Sequence, residues 1–99
     1  MARTTPEILR TLEANTAAIR RYGVRSLALF GSAVRGTARP DSDLDFVVEF
    51  DRKSFDAYMD LKAFLEHLFG CRVDLVLADA IKPKLRGAIL GEAIHAAGF

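Results

Sequence analysis

One run, Leu44-Asp45-Phe46-Val47-Val48-Glu49-Phe50, restricts the fold more than any other part of the chain. Side chains alternate across a strand, so Leu44, Phe46, Val48 and Phe50 share one face and Asp43, Asp45, Val47 and Glu49 the other. The first face needs burial; the second is expected to open to solvent where the acids stand. A chain built around such a strand is a layered sheet protein with helices against the apolar side.

What precedes that strand is equally specific. Val24 to Phe30 reads as a first strand ending in Gly31-Ser32, and ten residues then separate Ser32 from Asp43. Ala33-Val34-Arg35 supplies a short helical turn, and Gly36 to Ser42 a loop. Backbone N–H groups in a Gly-Ser turn opening a helix suit an anionic phosphate, and Asp-x-Asp on a strand points two carboxylates the same way. A phosphate cradle beside paired carboxylates indicates a metal-assisted reaction on a nucleoside triphosphate.

The rest of the chain supplies layers and a third acid. Thr5-Pro6-Glu7 reads as an N-cap, a first-turn proline and a helix-start acid, and Ile8, Leu9, Leu12, Ile19 and Tyr22 keep a helical spacing up to Gly23. Ser54 caps a second helix carrying Tyr58, Leu61, Leu65 and Leu68, which Gly70 closes. In Arg72 to Leu77, Val73, Leu75 and Leu77 face one way and Asp74 the other. Pro83 opens a final amphipathic segment with Leu85, Ile89 and Leu90, and residues 92–99 are compatible with helix, edge strand or a frayed end. The order helix, strand, turn, strand, helix, strand, helix predicts one domain over residues 1–99, of α/β (α+β) class, a small sheet with helices packed on one face. Which strands run parallel is left open by the pattern.

Gly31-Ser32, the spacing to Asp43-x-Asp45, and Arg35-Gly36 and Ser42 between them resemble the signature of the polymerase-β-type nucleotidyltransferase superfamily. The short length narrows the resemblance to the minimal members, in particular the MntA-like antitoxins paired with HEPN-domain toxins. The resemblance covers nearly the whole sequence. It implies a mixed sheet of the polymerase-β-like fold and Mg²⁺-dependent transfer of AMP from ATP, with release of pyrophosphate. It also implies an acceptor: a HEPN ribonuclease toxin whose active-site tyrosine receives one or several AMP units.

The chemistry assigns roles to the residues. Nucleotidyl transfer needs charge neutralised at phosphorus and both reacting oxygens held in line, which two divalent ions about 3.5–4 Å apart achieve. Asp43 and Asp45 are the candidate metal ligands, and Asp74, if its strand is a neighbour, completes the site nearer the acceptor. Hard oxygen ligands without a His or Cys cluster favour two Mg²⁺ ions, with Mn²⁺ the alternative. Two carboxylates about 4 Å apart repel by roughly 4 kcal/mol at an effective dielectric of 20, so the pair calls for a cation. Gly31 permits close backbone approach, and Ser32 offers an N–H and a hydroxyl to the triphosphate. Arg35 pairs either with a triphosphate oxygen or with an acidic neighbour, and Ser42 braces the loop ahead of Asp43. The bland alternative makes the acids ordinary turn and strand residues, and for Asp74, a single strand acid, it carries more weight. His67 and His95 lack partners at ligand spacing, Cys71 reads as a small core residue, and Lys82, Lys84 and Arg86 as a solvated face. Phe64, off the apolar stripe of its helix, is a candidate partner contact.

Composition narrows the partners. The chain has 14 basic against 13 acidic residues, so no dominant polyanion-binding surface is suggested and no direct nucleic-acid partner is expected. A lone cysteine excludes an internal disulfide and suits a reducing compartment. No apolar run approaches the roughly 18 residues of a membrane span, so the expectation is a cytoplasmic protein without a membrane partner. With 99 residues there is no room for a second, acceptor-binding domain, so the acceptor is expected on a partner in a hetero-oligomer. Two other functions compete with this one. A non-catalytic antitoxin would block its partner by occlusion, against which the presence of all three acids argues. A transferase acting on a small molecule such as an aminoglycoside would resemble relatives that carry extra domains.

Overall fold

In the computed structural model, which describes residues 4–31, 34, 43–52 and 54–96, the chain runs α1 (Thr5–Ala14), α2 (Thr16–Arg20), β1 (Val24–Phe30), β2 (Leu44–Phe50), α3 (Phe55–Phe69), β3 (Val73–Leu77), a 3₁₀ turn (Ala78–Ala80), α4 (Pro83–Glu92) and β4 (Ile94–His95). The sheet order is β3-β2-β1-β4. β1 pairs antiparallel with β2 and β4, whereas β2 and β3 are parallel. A parallel pair needs a crossover, and α3 supplies it. The sheet is therefore mixed, as the resemblance implied, and residues 94–95 form a short edge strand.

Two local details differ from the sequence reading at the N-terminus. Thr4, not Thr5, caps α1: its hydroxyl accepts the Glu7 N–H at 3.3 Å. The helix expected to run to Gly23 also breaks at Asn15. There the Asn15 amide donates to the Thr11 carbonyl at 2.8 Å and the Thr16 hydroxyl to the Glu13 carbonyl at 2.8 Å. Short polar side chains that take up the last carbonyls of a helix compete with its continuation. The signals around α3 act as expected. Ser54 accepts the Ala57 N–H at 3.0 Å, and Gly70, at φ +65°, ends the helix in the left-handed region.

The main core lies between α1–α3 and one sheet face. Ile8, Leu12 and Ile19 from the first two helices meet Leu27 and Leu29 of β1, Phe46 and Val48 of β2, and Leu61, Leu65 and Phe69 of α3, all essentially inaccessible. Phe46 and Phe69 stack with ring centroids 5.9 Å apart. Fully burying a side chain of this size stabilises the fold by about 1.5–3 kcal/mol. Phe64, read as a candidate partner contact, is half-buried and packs on this core with its ring 5.6 Å from that of Tyr22.

The opposite face is less open than the alternation of β2 suggested. Val47 is buried with Ala78 and Ile81, and Phe30, Val76, Ile89 and Leu90 pack against them, so α4 and the 3₁₀ turn cover its middle. Two valines among the acids, Val47 and Val76, supply the apolar surface that draws α4 there. The helices on one face are thus α1–α3, and α4 roofs part of the other.

Candidate active site

The site forms where β1 ends and β2 begins. Strand alternation fixes its floor: with Phe46 and Leu75 pointing into the main core, Asp45 and Asp74 project from the other face. The parallel register pairs Asp45 directly with Asp74, and neighbouring strands lie about 4.8 Å apart. Asp43 stands two residues earlier, just ahead of β2, and is exposed. Asp45 is half-buried and Asp74 exposed. The structure therefore brings Asp45 and Asp74 side by side through the backbone, with Asp43 at the rim.

Gly31 closes the site from the β1 side. The antiparallel register sets Phe30 opposite Asp45, so the next residue turns over the aspartate. Gly31 is buried and has φ +80°, which favours a residue without a Cβ. A Cβ built there would overlap Asp45 Oδ2 and lie 2.9 Å from Asp45 Cγ. The space an alanine methyl would need is taken by the carboxylate. The Val34 N–H donates to the Gly31 carbonyl at 3.1 Å; the rest of the expected helical turn, Ala33 and Arg35, lies outside the described residues. Ser32, Arg35 and Ser42, assigned above to the triphosphate and its loop, lie outside the described residues.

Among the described residues no three His, Cys, Asp or Glu side chains are grouped closely enough to hold an ion unaided. The donors that are aligned, two carboxylates in register, fit a hard divalent cation of the Mg²⁺ kind, which is usually held by one or two carboxylates plus substrate phosphates. Two clefts, of about 240 Å³ beside Arg25, Glu49 and Arg86 and about 430 Å³ beside Phe55 and Tyr58, lie toward the other end of β2, and neither is lined by the acids. The site is accordingly defined by register and turn geometry.

Two residues near the acids carried no sequence signal. Glu66 Oε2 accepts the Val73 N–H at 3.1 Å, and the Tyr58 hydroxyl donates to the Leu75 carbonyl at 2.6 Å. Both come from α3, and Tyr58 read only as a member of its apolar stripe. Among the described residues no helix is long and apolar enough to cross a membrane.

Comparison with known proteins points the same way as the geometry. Residues 13–95 match the nucleotidyltransferase domain family. The chain is 39% identical over 94 residues to the protein adenylyltransferase MntA of Thermococcus cleftensis, an alignment covering 93% of this chain and 95% of that protein. A solved structure assigned as a minimal nucleotidyltransferase superposes with a TM-score of 0.72 at 42% identity, covering 87% of this chain and 93% of the other. The fold also matches a chain from the complex of a tri-AMPylated Shewanella oneidensis HEPN toxin with MNT antitoxin, at TM-score 0.65 and 19% identity, over 92% of this chain and 73% of that one.

Proposed function

The chain belongs to the nucleotidyltransferase domain family, and from that premise we propose that it is a protein adenylyltransferase that moves AMP from ATP onto a HEPN-domain toxin and so acts as its antitoxin. The observation that carries this reading is the Asp45–Asp74 register beside the left-handed turn at Gly31. The 39% identity to a protein adenylyltransferase supports the AMP donor and a protein acceptor. The fold shared with the antitoxin of a HEPN toxin complex supports the class of partner.

Asp43, Asp45 and Asp74 would hold Mg²⁺, and the bound metal supplies charge neutralisation at the α-phosphate and the leaving pyrophosphate. In the transfer, an acceptor hydroxyl oxygen, that of a tyrosine in this reading, bonds to the α-phosphorus. The bond from that phosphorus to the pyrophosphate oxygen breaks, and the hydroxyl proton passes to Asp74, the carboxylate on the acceptor side. Gly31 and Ser32 hold the triphosphate, Arg35 pairs with one of its oxygens, and Ser42 braces the loop before Asp43.

Stoichiometry tests the proposal. A HEPN toxin incubated with a small fraction of its molar amount of this protein, ATP and Mg²⁺ should lose ribonuclease activity. It should stay inactive after separation and gain mass in adenylate-sized steps. Inactivation that needs equimolar protein and reverses on separation would refute transfer and establish occlusion.

A further inference from the structure

We propose that α3 sets the position of the third acid, with Tyr58 and Glu66 acting as positioning residues for Asp74; this rests on the role given to Asp74 above. β3 is an edge strand, paired with β2 on one side only. The register of β3 on β2 sets Asp74 beside Asp45, so the carboxylate moves with the backbone that carries it. That backbone is gripped from the unpaired side at the residues immediately before and after the aspartate. Glu66 Oε2 accepts the Val73 N–H at 3.1 Å, and the Tyr58 hydroxyl donates to the Leu75 carbonyl at 2.6 Å.

The second bond is at the short end of the O–H···O range. Both are partly buried, where a lost partner is not freely replaced by water. Parallel pairing is the weaker kind of ladder, so a parallel edge strand has the greater need of a second anchor. Tyr58 and Glu66 share α3 with Leu61 and Leu65, which are fully buried. The clamp is thereby fixed to the main core, and Asp74 is held in register with Asp45 from both sides. A shift of about 1 Å at a reacting group is enough to cost roughly a hundredfold in rate, so a carboxylate on an unanchored edge would be a poor ligand.

The test is Mn²⁺ binding to the intact protein in the presence of AMP-PNP, read from the paramagnetic resonance of free Mn²⁺ and needing no turnover. Tyr58→Phe and Glu66→Ala should each weaken Mn²⁺ binding by about three- to tenfold, the range that one net hydrogen bond supports. Glu66→Gln, whose amide oxygen still accepts the Val73 N–H, should stay within about twofold of the parent. In an Asp74→Asn background Tyr58→Phe should add nothing, because the effect passes through that carboxylate. Phe64→Leu, which loosens the same helix against Tyr22, should lower the melting temperature and leave Mn²⁺ affinity unchanged. Parent-like Mn²⁺ affinity in both Tyr58→Phe and Glu66→Ala, or an undiminished Tyr58→Phe effect without Asp74, overturns the clamp. Should Asp74→Asn itself bind Mn²⁺ like the parent, the metal role of Asp74 fails first; if Asp74→Asn is weakened and the clamp variants are not, only the clamp fails.

Discussion

Gly31→Ala should damage the protein twice, and the two effects separate. Alanine at φ +80° meets the steric cost of the left-handed region, about 1–2 kcal/mol. Its methyl would also overlap Asp45 Oδ2 and sit 2.9 Å from Asp45 Cγ and 3.1 Å from Asp45 Cβ, against an ordinary carbon–carbon contact of about 3.5 Å or more. The carboxylate must retreat by about 1 Å to clear the methyl, and overpacking of this kind costs about 1–3 kcal/mol. Together these make roughly 2–5 kcal/mol, a fall in melting temperature of at least about 8 °C for a domain of this size. Thermal melts by circular dichroism measure it. Combining Gly31→Ala with Asp45→Ala removes the carboxylate from the methyl's path, so the pair should be less destabilised than the sum of the single variants, leaving mainly the backbone cost. AMP transfer by Gly31→Ala, followed by intact mass of the acceptor, should fall about a hundredfold as the Asp45 carboxylate is displaced. A Gly31→Ala protein that melts and transfers like the parent would refute the packing of Gly31 on Asp45.

Three further outcomes follow from the same geometry. Asp43→Asn with Asp45→Asn should abolish transfer while far-ultraviolet circular dichroism stays unchanged, because removing two neighbouring charges lessens repulsion without opening the core. Phe46→Ala, at a fully buried site stacked on Phe69, should cost about 3–5 kcal/mol in urea unfolding. Ser54→Ala removes the cap on the Ala57 N–H and should cost about 1 kcal/mol, seen as a melting temperature lower by roughly 4–8 °C.

The parts of the fold legible in the sequence are those governed by local rules. Period-two alternation located β2 and β3 and gave the side from which each aspartate projects, and Ser54, Gly70 and Pro83 marked helix ends by capping chemistry. The Asn15 break was hidden because the apolar spacing from Ile8 to Ile19 continues through it, while the competition that stops the helix is polar. The roof formed by α4 went unread: Val47 and Val76 are apolar positions on the acid face that need a cover, yet the alternation of β2 led to the expectation of a face open to solvent. The pairing of Asp45 with Asp74 depends on the register of a crossover, which no local pattern specifies. The same limit applies to Glu66 and Tyr58, which bond backbone groups beyond their own helix. Gly31 was legible as a special backbone position, but its contact with Asp45 joins residues on two strands.

The grip of α3 on β3 also bears on how the molecule behaves at high concentration. An open strand edge is a template on which a second chain can extend the sheet, and proteins avoid it by shortening or covering their edges. Among the described residues one edge of this sheet, β4, is only two residues long. At the other, β3, the Val73 N–H and the Leu75 carbonyl are already engaged by Glu66 and Tyr58. A strand arriving from solvent would have to displace both side chains before its own ladder could form, which discourages sheet-to-sheet association when the molecule is crowded.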